Sequence, residues 1–473
     1  MRILLVSANR ERSPYPVFPI GLAYLVPPLE AAGHDLQALD LCLEPEPEPA
    51  VRAALERFAP ALVLISLRNL DNVTWPASRS YLADAKRIVD LCVGRVPVVV
   101  GGSGFSLMPH EILAALGADF GVVGEGEELL PRLVERIERG ESPAGLPGLL
   151  MRGDTGFLPP VPVERISAPS RTLFDVARYQ REGGMANVQT KRGCPFSCVY
   201  CTYPLLEGRS VRLRPIPEII AELRSLRDDF GVGYVYFVDD IFNYPVEFAE
   251  RLCRVMAEER LGLDWSAFIN PAFMPPSLLD AMLAAGCDAV EFGTESGSPL
   301  MLRNLGKSFT VEDVRSASQL CSRRQVDFAH YLLFGGPGET DETVLESFRL
   351  MDELEPTAVI AMTGIRIFPG TSLHRTALDE GIIGSDTDLL SPLFYLSPQV
   401  RDHLADLVAG EAVRRTTWVV PGLEVNISDV MLDAMRMFSV RGPLWKLMKR
   451  LGRSRVRPLC SPPFPLDISP RDQ

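Results

Sequence analysis

No stretch of this chain approaches the roughly 18 consecutive apolar residues that a membrane-spanning helix needs. An excess of positive charge is also missing. The 48 Lys and Arg against 61 Asp and Glu give a net charge of -13, which disfavours general nucleic-acid binding. The opening Met1-Arg2-Ile3-Leu4-Leu5-Val6 moves directly into a strand pattern without a small-residue cleavage site, so a secretory signal is not expected. The nine cysteines are an odd count with no regular framework outside one cluster, which points to a reducing compartment. A cytoplasmic enzyme is expected. At 473 residues, 47% of them hydrophobic, the chain can fill several cores.

The one cysteine cluster is Lys191-Arg192-Gly193-Cys194-Pro195-Phe196-Ser197-Cys198-Val199-Tyr200-Cys201. A structural zinc site would want a fourth Cys or His nearby. None follows: the next cysteine is Cys253 and the nearest downstream histidine is His330. Iron–sulfur clusters normally take four cysteine ligands. Three thiolates leave one position open to a substrate or cofactor. Gly193 and Pro195 read as an exposed loop rather than as the surroundings of inert core cysteines. With Tyr200 just before the third cysteine, the run resembles the signature of the radical SAM enzymes. The resemblance implies a [4Fe-4S] cluster on Cys194, Cys198 and Cys201, with its open iron chelating S-adenosylmethionine (SAM). It also implies reductive cleavage of SAM to a 5′-deoxyadenosyl radical, and hence an electron donor of the flavodoxin or ferredoxin type.

Residues 1–145 alternate short β-rich runs with helical patterns. Strands are expected at Ile3–Ser7, Asp35–Asp40, Ala61–Ser66, Val96–Val100 and Phe120–Val123. Such alternation predicts an α/β doubly wound parallel sheet, with ligands beyond the carboxyl ends of the strands. Those ends carry Ser66, Gly101, Gly102, Gly124 and Glu125, where small residues would let a bulky ligand approach the backbone. Gly101-Gly102-Ser103-Gly104 has neither a Walker lysine nor the full dinucleotide fingerprint. Taken with Phe18-Pro19-Ile20-Gly21-Leu22-Ala23-Tyr24-Leu25 and Ala32-Gly33-His34, the segment resembles the Rossmann-like cobalamin-binding domain that precedes many radical SAM domains. The loop Asn9 to Pro19 holds no histidine for cobalt. The resemblance therefore implies cobalamin bound without a histidine from that loop, as is frequent in cobalamin-dependent radical SAM methylases. His34 and His110 read as structural or surface residues.

Residues 146–184 form an expected linker, rich in proline and glycine. Alternation resumes over 185–384, with strands expected to end at Arg192, Asp239, Phe268, Glu295, Phe334 and Phe368. Six such units fit the partial (β/α)6 barrel of the radical SAM family, with chemistry at the strand carboxyl ends. By resemblance, Asp239, with Asp240 beside it, would accept from the SAM ammonium, a charge-assisted hydrogen bond. Glu295 would hold ribose hydroxyls, and Gly335 and Gly336 would pack near the adenosyl group. The run Arg366-Ile367-Phe368-Pro369-Gly370-Thr371 would lie by the adenine.

Residues 385–473 are expected to form a mostly helical extension that caps the barrel mouth. The segment Ala434 to Leu466 lacks acidic residues and carries eight Arg or Lys. It permits peripheral contact with an anionic membrane, or a solvated helix that compensates an acidic body. Together the two resemblances imply methylation of an unactivated carbon on a lipid, natural-product or other small-molecule substrate. Oxidative cyclisation or rearrangement with the same modules, or a non-catalytic cobalamin sensor, are the alternatives.

Overall fold

The computed structural model describes residues 1–428 except Thr155, together with 431–432 and 441–448. Most of the basic carboxyl-terminal segment, including Lys449, Arg450, Arg453, Arg455 and Arg457, lies outside the described residues. Among those described, no helix is long and apolar enough to cross a membrane.

The first sheet contains β1 (Arg2–Ser7), β2 (Asp35–Asp40), β3 (Leu62–Ser66), β4 (Val98–Gly101), β5 (Phe120–Val122) and β6 (Leu149–Met151). Their spatial order is β2-β1-β3-β4-β5-β6. The first five strands run parallel, because each β-to-β connection passes through a helix that covers a face of the sheet. β1, β3 and β4 are nearly continuous Val, Leu and Ile, as strands buried on both faces should be. β6 pairs antiparallel with β5. It belongs to this sheet although it falls beyond residue 145, inside the segment expected to be linker. At three residues, Leu149–Met151 is too short to show a strand period.

The second sheet begins with β7 (Ala186–Val188). A ribbon of β8 (Lys191–Arg192) and β9 (Arg212–Leu213) then brackets the cysteine loop. The sheet continues through β10 (Tyr234–Phe237), β11 (Asp264–Ile269), β12 (Cys287–Glu295), β13 (Asp327–Phe334) and β14 (Ala358–Thr363). A second ribbon, β15 (Ile365–Arg366) with β16 (Phe394–Tyr395), precedes the edge strand β17 (Trp418–Val419). The order β17-β14-β13-β12-β11-β10-β7 is parallel throughout. Six βα units followed by an extra edge strand make the open barrel. The second and third barrel strands end at Phe237 and Ile269, within two residues of the expected Asp239 and Phe268, and two other ends shift further. The first barrel strand stops at Val188 rather than Arg192, and the sixth at Thr363 rather than Phe368, where Gly364 adopts φ +70° and turns the chain into the second ribbon.

Strand alternation separates two faces of the barrel. Val235, Phe237, Trp265, Ala267, Ile269, Val290 and Phe292 share a core with the surrounding helices. Tyr236, Phe268, Gly293, Glu295, Tyr331, Ile360 and Met362 alternate with the helix-facing residues and are only half-buried, although they point to the interior. At the amino ends of the strands the interior is closed. There Ala289, Ala329, Ala358 and Val419 pack against Leu444, Trp445 and Met448 of the carboxyl-terminal segment, which plugs the bottom. The segment expected as a cap over the mouth therefore reaches the opposite end as well, since only alanines leave room for an indole there.

Candidate active site

The cysteine loop is shaped by backbone constraints before any cofactor is considered. Gly193 takes φ +91°, and a Cβ there would stand 2.2 Å from the Ser210 carbonyl oxygen. The Gly193 amide donates to Glu207 Oε2 at 2.9 Å and the Cys194 amide to the Gly208 carbonyl at 3.1 Å. On the far side, the Val199 amide donates to Leu305 O, and Phe196 packs edge-on against Tyr244. All three thiols are free. Burial pushes Cys194 up to about 11 and Cys201 up to about 12, so loading a metal must displace thiol protons. Among the described residues no three His, Cys, Asp or Glu side chains sit close enough to hold one metal ion. Three free thiols carried on one glycine-turned loop are a donor set that fits a cubane with one open iron.

Asp239 is not aimed at the open side of that loop. Its carboxylate accepts from the Thr190 amide at 2.6 Å and the Thr190 hydroxyl, and pairs with Lys191 Nζ at 3.3 Å, all buried. Tethering β7 to β10 in this way consumes both oxygens. Asp240 faces the cysteine loop instead. It lines one cleft with Gly193, Cys194 and Pro195, and its Oδ2 is buried without a hydrogen-bond partner. Burial, then the nearby Glu207 and Asp239 charges, push its carboxyl up to about 9. An unpartnered carboxyl oxygen beside the thiols suits the ammonium end of SAM, whose positive charge would favour the ionised form.

Tyr200 donates to Glu295 Oε1 at 2.7 Å, and Lys307 Nζ reaches the same oxygen at 3.2 Å. Glu295 has φ +63°, a conformation rare for a side-chain-bearing residue. Half of its expected ribose-binding capacity is thus committed to the cysteine loop, which leaves Oε2. The Gly335 and Gly336 amides donate to Glu339 Oε2 at 2.5 and 3.0 Å, so Glu339 fixes the glycine turn from below.

In the first domain the strand-end glycines serve the protein itself. A Cβ on Gly102 would lie 2.6 Å from Leu67 O, so the Gly101-Gly102 turn packs down on the chain leaving Ser66 at the end of β3. Gly124 is covered by Pro160 of the linker. Glu125 binds Arg192 at 3.0 Å and Arg212 at 2.7 and 2.8 Å, and accepts from the Val163 amide. It latches the two domains and is not open to a ligand. The open surface of this sheet lies one loop earlier, where Ala8, Asn9, Leu67, Arg68 and Asn69 line a cavity and Asn9 Nδ2 is buried without a partner. That orphaned amide and the adjacent guanidinium fit a polar cofactor bound against the sheet ends.

Arg68 and Tyr203 were not singled out from sequence. Arg68 is exposed and Tyr203 is 46% exposed, yet desolvation is the leading influence on both. Both keep accessible surface while lying close to other groups of the protein. The Tyr203 phenol is within electrostatic range of Arg68 on one side and of Cys201 and Asp240 on the other. A hydrophilic Arg-Asn after a strand gave no sign that the second domain would lie close to it.

Residues 188–351 match the Radical SAM superfamily and residues 6–134 match the B12 binding domain, together more than half of the chain. The chain is 28% identical over 399 residues to an uncharacterized methyltransferase of Pyrococcus horikoshii, covering 81% of this chain and 84% of the relative. It is 25% identical to tryptophan 2-C-methyltransferase of Streptomyces laurentii, covering 80% and 74%. The fold is that of the radical SAM methyltransferase TsrM from Kitasatospora setae, solved with cobalamin and a [4Fe-4S] cluster bound, at a TM-score of 0.85 and 24% identity over 96% of this chain and 98% of that one. The cobalamin-dependent radical enzyme OxsB shares it at a TM-score of 0.73 and 16% identity, over 88% and 68%. A B12-binding domain latched by Glu125 onto a radical SAM barrel with an intact cysteine triad makes this chain a member of the cobalamin-dependent radical SAM enzymes of the methyltransferase type.

Proposed function

We propose that the enzyme methylates an unactivated carbon of a small molecule held inside the barrel. The observation that carries this is that the short helix Tyr203–Leu206, just after Cys201, packs against Ser103–Leu107 of the B12-binding domain, with the Tyr203 phenol in electrostatic range of Arg68, Cys201 and Asp240. This supports reading the two cofactor sites as neighbours across the domain interface. When bound, the cluster with SAM supplies a hydrogen-abstracting radical, and the corrinoid supplies a transferable methyl group.

The chain's own residues position and enclose. Cys194, Cys198 and Cys201 hold the cluster, and the free oxygen of Asp240 receives the SAM ammonium. Tyr200, Glu295 and Lys307 hold the loop against β12, while Glu339 holds Gly335 and Gly336 flat beside the adenosyl group. The half-buried aromatic interior excludes water from the reacting carbon. A flavodoxin- or ferredoxin-type protein is the expected electron donor.

The test is product analysis of the anaerobically reconstituted holoenzyme. Methylation yields S-adenosylhomocysteine together with 5′-deoxyadenosine and methionine. Cyclisation or rearrangement without S-adenosylhomocysteine would sink the proposal. A Cys194→Ala, Cys198→Ala, Cys201→Ala variant must lose both iron and SAM cleavage.

A further inference from the structure

Below the cofactor level, the barrel interior contains a buried acid that the reading above does not use. Glu291 lies on the interior face of β12, and because the register shifts between Gly293 and Glu295 it sits three partner residues of β13 before Glu295, about 10 Å deeper. It is 1% exposed. Trp445 Nε1 of the plug donates to its Oε1 at 2.9 Å, and the Tyr236 hydroxyl donates to its Oε2 at 3.1 Å. Tyr331, on the neighbouring strand β13, is a third polar neighbour. Phe268 closes the ring, 5.0 Å from Tyr331 and edge-on to Tyr236 at 6.4 Å between centroids. Tyr15, from the loop of the first domain, packs against the same floor cluster.

Two features of this box decide its chemistry. Buried carboxylates are normally paired with a cation, yet among the described residues burial and three neutral hydrogen-bonding neighbours, Trp445, Tyr331 and Tyr236, act on Glu291. The Tyr236 hydroxyl, moreover, spends its proton on Glu291, so toward the barrel interior it offers only lone pairs. Lone pairs, aromatic faces and an unneutralised acid all favour a cationic N–H donor. They disfavour an anion, and they give a purely hydrocarbon lipid nothing to recognise.

We infer that the substrate carries a protonated amine, which docks against Glu291 and Tyr236 while its reactive carbon points up toward Tyr203. The depth between Glu291 and Glu295 suits a molecule of one or two rings. This inference rests on the methyltransferase reading and names its substrate class.

The test is isothermal titration of the reconstituted holoenzyme with tryptamine and with indole-3-propionate, which share a ring system and differ in charge. Tryptamine is expected to bind about 10- to 100-fold tighter, the worth of one hydrogen bond to a charged partner. Glu291→Gln should abolish that preference and Tyr236→Phe should reduce it. Equal affinities, no binding by either probe, or a preference that survives Glu291→Gln would overturn the inference. Should Glu291→Gln fail to fold, Tyr236→Phe decides, and an unchanged preference counts against it. Iron, sulfide and corrinoid contents are measured on each sample. A wild type that takes up neither cofactor counts against the methyltransferase reading, whereas a loaded wild type indifferent to charge overturns this inference alone.

Discussion

The Tyr200 hydroxyl donates to Glu295 Oε1 at 2.7 Å, across 95 residues of sequence, and so fastens the cysteine loop to the fourth barrel strand. Lys307 Nζ pairs with the same carboxylate at 3.2 Å and lies beside Cys198 as well. Tyr200→Phe removes one hydrogen bond to a charged group and leaves the ring. The expected loss is about 1.5–3 kcal/mol of loop stability. Iron retained by the variant during anaerobic chelator challenge should fall severalfold, and retention equal to wild type would disprove the fastening role.

Gly193 sets the direction in which the loop leaves β8. Any side chain there meets the Ser210 carbonyl oxygen at 2.2 Å and must hold φ near +91°. Gly193→Ala is expected to misplace Cys194 and to abolish stoichiometric cluster loading, while the far-ultraviolet circular dichroism of the chain stays near wild type. Full iron and sulfide content in this variant would show that the loop tolerates a rebuilt turn.

Much of this site was legible in the sequence because it is local. Three cysteines within eight residues and Tyr200 beside the third declare a cluster without any knowledge of the fold. The parallel strands β1 to β5 were equally readable, since apolar runs alternate with helical periods. What escaped is nonlocal. Asp239 and Asp240 are indistinguishable in sequence; a one-residue step along the chain after β10 decides which carboxylate is consumed by Thr190 and Lys191 and which stays free. Glu125 follows a strand end as a cofactor residue would. Only the packing of β8 and β9 against it shows that two arginines occupy both its oxygens. Glu291 reads as one of three acids on β12 until Trp445, 154 residues later, is seen to donate to it.

The Glu125 latch predicts coupling between the domains. Glu125→Ala would leave Arg192 and Arg212 largely desolvated beside each other, with Glu127 as the remaining acid on Arg192. Breaking a mostly buried pair from one side costs about 3–5 kcal/mol. Because Arg192 is two residues from Cys194, the cost should surface as faster proteolysis of the 146–184 segment together with weaker cluster retention. Faster proteolysis with an unchanged cluster would confine the latch to holding the domains together.

Glu339 makes stability depend on pH in a stated direction. Burial raises its carboxyl from the ordinary value to about 7, against the amides of Gly335 and Gly336, which favour the charged form. In the unfolded chain it titrates near 4.5. Between those values the folded state binds the extra proton, so this group's contribution to stability falls as pH rises from about 4.5 to 7 and is flat above. The full span is on the order of 3 kcal/mol. Glu339→Gln keeps a carbonyl acceptor for the two amides and removes the ionisation. The difference in urea-unfolding free energy, variant minus wild type, should therefore grow in the variant's favour from pH 5 to pH 7.5. A difference that stays constant over that range would mean that Glu339 does not carry this proton, and that the glycine turn is held by a carboxylate ionised throughout.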